Sequence, residues 1–402
     1  MRLSRRGFVS GLATALGYAG LRPTQVFGQA PARTSASGSM PSFLSAAQRA
    51  RVTEYDSMAK LASNENPWGP LDSVMEAMNS AWKYSNRYGY PDANILQAIA
   101  EHHKVTPQHI LLGAGSGEIL DVVGNTYLQD GKKVLGVEPT YSSVYQHATS
   151  IKSEAIRLPL NKDYTQNIQM FIDTAKRRQR EIGVVYLCNP NNPTGIPVSK
   201  AEVKQLLDGV PADMPVLVDE AYFHFVQDPN YATALPYVLE GRPVIIARTF
   251  SKIFGIAAMR LGYAIAPPDM IAAMRPYSMG SINALVKWGG AAGLADTAGQ
   301  KKVLDNTLRL RGKAIADIKA IGYEVLPTET NFFMVGIRRE VQPVIEEFRK
   351  KGVAVGRPFP PMTQHLRVSV GTDDEMARFM TAFKEIFPAG RNSTGAQQQQ
   401  QQ

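Results

Sequence analysis

Cysteine is almost absent. Cys188 is the only one in 402 residues, so no intrachain disulfide can form. The fold must rest on a hydrophobic core, which a chain of this length can build without covalent staples. That leaves the compartment open, because a large core serves in oxidising and reducing surroundings alike. Once the N-terminal segment is set aside, no apolar run reaches the roughly 20 residues that span a bilayer, so a soluble protein without stable membrane anchoring is expected. The basic residues also lack interleaved aromatics. The formal charge is +9, but Arg2, Arg5, Arg6, Arg22 and Arg33 fall in a segment expected to be removed. The one dense basic run, Lys176-Arg177-Arg178-Gln179-Arg180, precedes an apolar strand and reads as a solvated helix face. With no nucleic-acid module beside it, nucleic acid is not an expected partner. No metal site is expected either.

What is present is ordinary for a globular protein, with 44% hydrophobic and 20% charged residues. The length suggests two or three domains. The N-terminus reads Ser4-Arg5-Arg6-Gly7-Phe8-Val9, then a mildly apolar stretch from Gly11 to Gly17, then Gly28-Gln29-Ala30. A charged region, a short apolar region and a small-x-small triplet, in that order, make a secretory signal over residues 1–30. Its paired arginines followed by x-Phe resemble the twin-arginine (Tat) type, which implies the Tat export machinery as a partner and a periplasmic location. An amphipathic first helix with a chance arginine pair is the competing reading, and a cytoplasmic location would follow from it. Residues 31–45, rich in Ser, Ala, Pro and Gly, read as a linker. The Gln-rich end, 389–402, has nothing to bury and is expected to be disordered.

Between about 85 and 290, short β-rich runs alternate with helical patterns. Val134–Val137, Val184–Leu187, Val216–Val218 and Val244–Ala247 are continuous apolar runs bounded by turn residues. Such runs suit strands buried on both faces, as in a parallel sheet covered by helices. From about 291, long helical patterns lead into Phe332–Val335 and Leu366–Val370, which suggests a smaller α/β domain over 291–388. Residues 46–84 are expected to supply its N-terminal part.

Five stations follow the strands, where open α/β sheets place ligands. Gly113-Ala114-Gly115-Ser116-Gly117-Glu118 opens a helix and offers backbone N–H groups to an anion, although such a turn alone is more often plain packing. Glu138-Pro139-Thr140-Tyr141 sets an aromatic past a strand end. Asn189-Pro190-Asn191-Asn192-Pro193-Thr194-Gly195 is a stiff turn that would fix an Asn side chain. Val216-Leu217-Val218-Asp219-Glu220-Ala221-Tyr222 puts two carboxylates at the end of a buried strand, where a charge needs a partner. Arg248-Thr249-Phe250-Ser251-Lys252, with Arg260 beyond, puts a lysine among hydroxyls. Cationic neighbours and desolvation would lower its pKa from ~10.4 and ready it as a nucleophile.

This ordered set resembles the fold-type I aminotransferases that bind pyridoxal 5′-phosphate (PLP), and it is most similar to the histidinol-phosphate aminotransferase branch. Leu61-Ala62-Ser63-Asn64-Glu65-Asn66-Pro67-Trp68-Gly69-Pro70 is similar to the branch's N-E-N-P-x-G-P signature. Arg87-Tyr88 and Leu366-Arg367-Val368-Ser369-Val370-Gly371-Thr372 match its other motifs, and the resemblance runs from about 58 to 386. It implies a large domain (85–290) with a mostly parallel seven-stranded sheet sandwiched by helices, beside the smaller domain. It also implies amino transfer between an amino acid or amine and a 2-oxo acid, with ping-pong kinetics. By the same resemblance, Lys252 holds PLP as a Schiff base and moves the α-proton, and Asp219 pairs with the ring nitrogen. Asn192 and Tyr222 bond the ring's 3′ oxygen, and Tyr141 stacks on its face. Backbone donors at Ser116 and Gly117, with Thr249, Ser251 and Arg260, hold the phosphate. Tyr88 reaches the phosphate of a neighbouring subunit, so a homodimer is implied. Arg367 clamps the substrate carboxylate, with Asn66 as a further substrate contact. Rival readings are another PLP reaction on an amino acid (β-elimination, decarboxylation or racemisation) or a non-catalytic PLP-binding protein.

Two departures bear on the substrate. Gly117 stands where the family commonly has an acidic residue. In Gly352-Val353-Ala354-Val355-Gly356-Arg357-Pro358-Phe359-Pro360-Pro361 the arginine comes one residue late and a proline-rich loop follows. Histidinol phosphate is therefore expected to be a poor donor, and an apolar or aromatic α-amino acid a good one.

Overall fold

The computed structural model describes residues 43–388. The expected signal, most of the linker and the Gln-rich tail lie outside the described residues. The chain divides after Ser57. Ahead of that point stands helix Ala46–Ser57, none of whose residues is buried.

The second unit begins at Met58 and contains the site. Its first strands are β1 (Ala59–Leu61), β2 (Ile110–Gly113), β3 (Lys133–Glu138) and β4 (Ala155–Pro159). Next come β5 (Ile182–Cys188), β6 (Val216–Asp219), β7 (Val244–Thr249) and β8 (Gly262–Ile265). The last are β9 (Glu324–Val325), β10 (Phe332–Gly336), β11 (Val353–Val355) and β12 (His365–Ser369). A seven-stranded sheet runs in the order β2-β8-β7-β6-β5-β3-β4. Pairing is parallel from β4 to β7, while β8 runs opposite to both its neighbours.

The apolar runs explain this sheet. Successive side chains of a strand point to opposite faces. Val216, Val218, Val244 and Ile246 join one core cluster, and Leu217, Ile245 and Ala247 join another. With helices on both faces, each strand needs apolar residues at every position. All the carboxyl ends of β5, β6 and β7 lie along one edge, so Cys188 and Asp219 emerge side by side and Thr249 follows two residues beyond Asp219's partner Ala247.

The smaller part holds the antiparallel sheet β12-β10-β9 and the parallel pair β1-β11. Its core is rich in phenylalanine: Phe333, Phe348, Phe379 and Phe383 are fully buried. The expected domain limits need correcting. β1 joins the smaller part, but helix Asp72–Ala81, also expected there, packs into the larger core through Val74, Met78 and Ala81. The cause lies in helix Ala284–Ala295, where Gly289 and Gly293 leave a groove. A Cβ on Gly289 would lie 2.8 Å from Met78 Cγ, and one on Gly293 would lie 3.0 Å from Val74 Cγ2. The limit at 290 falls inside that same helix. Helix Thr297–Ala320 then links the two cores, with Val303 in the larger and Leu310, Ala314 and Ile318 in the smaller. In the basic run, Lys176 and Arg177 are exposed in the last turn of helix Ile168–Arg177, where the helix dipole favours cations.

Candidate active site

A cavity of about 240 Å³ opens at the carboxyl edge of the large sheet. At one end is an anion seat. Helix Ser116–Tyr127 begins after Gly115, whose φ of +84° suits glycine, and its first residues, Ser116 and Gly117, line the cavity at a helix start, where N–H groups lack intrahelical partners. Two close approaches build the seat. A Cβ on Gly262 of β8 would lie 2.3 Å from Ser116 N, and one on Gly115 would lie 2.0 Å from Arg260 Nη2. Arg260 itself sits in the left-handed region at φ +61°, and its Nη1 donates to the Ala257 carbonyl at 2.9 Å. Thr249 and Ser251 line the same end, with the Thr249 hydroxyl donating to the Ser251 oxygen at 2.8 Å. Helix N–H groups, two hydroxyls and a guanidinium make a seat for a phosphate.

The middle of the cavity carries the acid–base groups. Asp219, at the end of β6, is only 2% exposed. Its carboxylate accepts from Tyr186 Oη and from the Ala221 backbone, both at 3.2 Å. No salt bridge reaches it among the described residues. Burial raises its pKa to about 6, against the lowering effect of those donors and of Lys252. A buried carboxylate so placed is completed by a cation in the cavity. Glu220, the next residue, turns the other way. It is sealed in a buried ion pair with Arg248 at 2.6 Å, so of the two carboxylates at this strand end only Asp219 serves the cavity.

Lys252 faces the cavity from beyond β7, its Nζ 5.5 Å from the centre of the Tyr222 ring. Burial lowers its pKa to about 8; the Arg367 guanidinium adds to that, while the Glu65 and Asp219 carboxylates oppose it. Tyr141 lines the cavity and remains 40% exposed, so one side of its ring is open to a flat ligand.

Near the cavity the smaller part contributes Arg367 from β12, close enough to Lys252 and Tyr222 for their charges to influence one another. Arg367 is buried, with Nη1 donating to Asn192 Oδ1 and Nη2 to the Ala62 carbonyl, each at 2.6 Å. Its Nε has no partner among the described residues, and burial with nearby Arg357 lowers its pKa to about 10. A buried guanidinium with no salt bridge among the described residues can seat an anionic group. Asn192 can meet it because the other side chains of its turn are tied down. Asn189 bonds Val198 in both directions, at 2.8 and 3.0 Å, and Asn191 bonds Pro139, Thr140 and Thr194.

The structure thus brings together Lys252, Asp219, Tyr222, Tyr141, Ser116, Gly117, Thr249, Ser251 and Arg260 around one cavity, while Arg367, joined to Asn192, lies outside its lining but close enough for its charge to act on Lys252. It does not bring Asn66 there as a substrate contact. That side chain donates to the Ile253 carbonyl at 2.9 Å and accepts from Trp68 N at 3.0 Å, so it fastens its own loop. Asn64, not singled out from the sequence, donates to Tyr222 Oη at 3.0 Å instead. Tyr88 is fully exposed. Tyr186, Ser63 and Glu65 were also missed. The last two lie in the N-E-N-P run and could have been read from it, but Tyr186 looked like one more residue of a buried strand.

These features fit PLP: a seat for its phosphate, an anion for its protonated ring nitrogen, an aromatic for its ring and a lysine for its carbonyl carbon. A family model for aminotransferase class I and II matches residues 56–383. A histidinol-phosphate aminotransferase of Moorella thermoacetica is 34% identical over 336 residues, covering 82% of this chain and 85% of that protein. An aromatic amino acid aminotransferase of Thermobifida fusca is 33% identical over 332 residues, covering 80% and 89%. In fold, the chain is similar to the crystal structure of histidinol-phosphate aminotransferase from Sinorhizobium meliloti in complex with pyridoxal-5′-phosphate. The TM-score is 0.78 at 23% identity, over 90% of this chain and 99% of that one.

Proposed function

The chain belongs to the class I and II aminotransferase family, and from that premise we propose which residue does what and which donor the site takes. It is an aminotransferase that uses PLP to move an amino group between an amino acid and a 2-oxo acid. Such enzymes are generally dimers. When bound, PLP supplies the electron sink that accepts charge from the substrate α-carbon. In our reading Lys252 anchors the cofactor and moves the proton at that carbon. Asp219 keeps the ring nitrogen protonated, while Tyr222 and Asn192 orient the 3′ oxygen. Tyr141 covers the ring face. The N–H groups of Ser116 and Gly117, with Thr249, Ser251 and Arg260, hold the phosphate. Tyr88 serves the partner subunit's site. The observation that carries this reading is one cavity holding a buried carboxylate, with no salt-bridge partner among the described residues, and a lysine of lowered pKa.

The donor follows from Arg367 and its surroundings. Its guanidinium lies 4.7 Å from the Phe359 ring centre and 5.5 Å from that of Phe332. Arg357 is exposed; it stacks on Phe359 at 4.3 Å and donates to the Pro358 carbonyl at 3.0 Å. One buried guanidinium between rings suits a carboxylate, while a phosphate dianion would need a second cation that Arg357 supplies only from solvent. Curated relatives carry both histidinol-phosphate and aromatic amino acid names, and the site favours the latter chemistry. Phenylalanine, leucine or methionine should therefore exceed histidinol phosphate in kcat/KM by at least about tenfold, with 2-oxoglutarate or pyruvate as acceptor. Histidinol phosphate emerging as the best donor by that margin would overturn the reading of Arg357.

We also propose export to the periplasm through a Tat-type signal at Arg5-Arg6. Tat export moves folded proteins, and a cofactor captured in the cytoplasm and bound covalently would travel with the chain. Changing Arg5→Lys and Arg6→Lys together should leave a folded, PLP-loaded enzyme in the cytoplasm with its N-terminus intact. Normal periplasmic amounts of that variant, measured by fractionation, would rule the Tat route out.

A further inference from the structure

Glu65 has a carboxylate in the cavity and no stated task. Its backbone is fixed from both sides. Asn64, at φ +54°, accepts from Ser369 Oγ at 3.0 Å and donates to Tyr222, while Asn66 is tied to Ile253. The Asn331 amide spans the carbonyls of Asn64 and Glu65, at 3.0 and 3.2 Å. So firm a frame leaves the Glu65 side chain lining the cavity beside Lys252. Among the described residues no hydrogen bond or ion pair reaches its carboxylate. The turn also carries the carbonyl of Ala62, which accepts from Arg367 Nη2 at 2.6 Å, so Glu65 is held three residues from the contact that fixes the guanidinium.

An α-amino acid carries an ammonium and a carboxylate on one carbon. Arg367 alone would seat the carboxylate of a donor and of its 2-oxo acid equally. We propose that Glu65 receives the α-ammonium group of the incoming donor, so that Glu65 and Arg367 align the dipole of the amino acid across the mouth of the site. The assignment rests on the donor reading above. It gives the site a means of telling amine from oxo acid before any bond forms, and it draws the amine toward Lys252. The 2-oxo acid lacks the ammonium and turns a carbonyl oxygen toward the same carboxylate, which eases its departure. The position of Glu65 close to Lys252 agrees with its carboxylate being a leading influence that raises the lysine's pKa.

Two probes separate the groups. N,N-Dimethylphenylalanine has the ammonium and the carboxylate, but its tertiary amine cannot form a Schiff base, so it reports the charge contact alone. 3-Phenylpropanoate keeps the ring and the carboxylate and lacks the amine. Calorimetric titration of the PLP-loaded wild type and of Glu65→Gln should show the amine probe weakened at least about tenfold and the carboxylate probe unchanged within about threefold, as expected for loss of one partner of a partly desolvated charge pair. Cofactor content, read from absorbance, should be the same in both proteins. Glu65→Asp should lie between them for the amine probe alone, which keeps the test open if the glutamine variant is unstable. Equal weakening of both probes, or no weakening of the amine probe, overturns the assignment while leaving the donor reading intact. A wild type that binds neither probe overturns the donor reading, and the assignment with it.

Discussion

Lys252→Ala is expected to lose both the covalent hold on PLP and turnover. The position is chemically singular: Lys252 lies just past β7 and lines the cavity with Asp219, Thr249, Ser251 and Arg260, within reach of the Arg367 charge. Burial and the Arg367 charge bring its pKa down to about 8. Near pH 7.5 roughly a quarter of such amines are neutral, against about one in a thousand for an ordinary lysine of pKa ~10.4. Removing the group takes away the nucleophile and the base together. A fall of at least about ten-thousandfold follows, the upper end of what general acid–base catalysis contributes. Borohydride treatment followed by mass spectrometry reports the link directly, and a variant that remains fully labelled with PLP refutes the assignment. Stability gives a second readout. Between pH 8 and pH ~10.4 the unfolded chain keeps a proton on Lys252 that the folded apo-enzyme has released, so this group destabilises the fold below that window and ceases to above it. Apo Lys252→Met should therefore melt higher than apo wild type at pH 7, with the gap closing as the pH climbs.

The site was legible in the sequence where chemistry stood out against burial. Asp219 ends a run that is otherwise wholly apolar, Lys252 follows the apolar run Val244–Ala247 after a short, mostly polar stretch, and a charge at the mouth of a strand buried on both faces needs a reason. The sheet was legible for a related cause, since Val216–Val218 and Val244–Ala247 have no polar position to turn toward water. What was not legible depended on partners remote in the chain. The apolar stripe of helix Asp72–Ala81 would suit either core, and it is Gly289 and Gly293 that decide. Asn64 and Asn66 are the same residue type two positions apart; the left-handed backbone at Asn64 sends it to Tyr222 and leaves Asn66 to Ile253. Tyr186 reads as a strand residue until β5 and β6 pair in register, which brings its hydroxyl to Asp219.

Asp219→Ala should slow turnover by about a thousandfold. The carboxylate is buried, has two neutral donors and forms no salt bridge among the described residues, and in our reading the protonated ring nitrogen of PLP is the charge that completes it. Removing one partner of a buried ion pair costs ~3–5 kcal/mol. At ~1.4 kcal/mol per tenfold this is a loss of two to nearly four orders of magnitude if it falls on the transition state. Asp219→Asn separates charge from shape, because the amide fills the same space and still accepts from Tyr186. It should retain PLP, and turnover should fall nearly as far as in the alanine variant. Linkage fixes the sign of a further effect. Burial raises the apo-enzyme pKa of Asp219 to about 6, above an unfolded value of ~3.9. Across that window the folded state holds a proton that the unfolded state has lost, so this group's contribution to stability is full below pH ~4 and gone above about 6. Relative to apo wild type, apo Asp219→Asn should gain stability at pH 7 and lose that advantage as the pH falls toward 4. A turnover loss below tenfold in either variant, or an apo asparagine form no more stable than wild type at pH 7, would show that Asp219 is not the buried, unpaired anion that a protonated ring nitrogen requires.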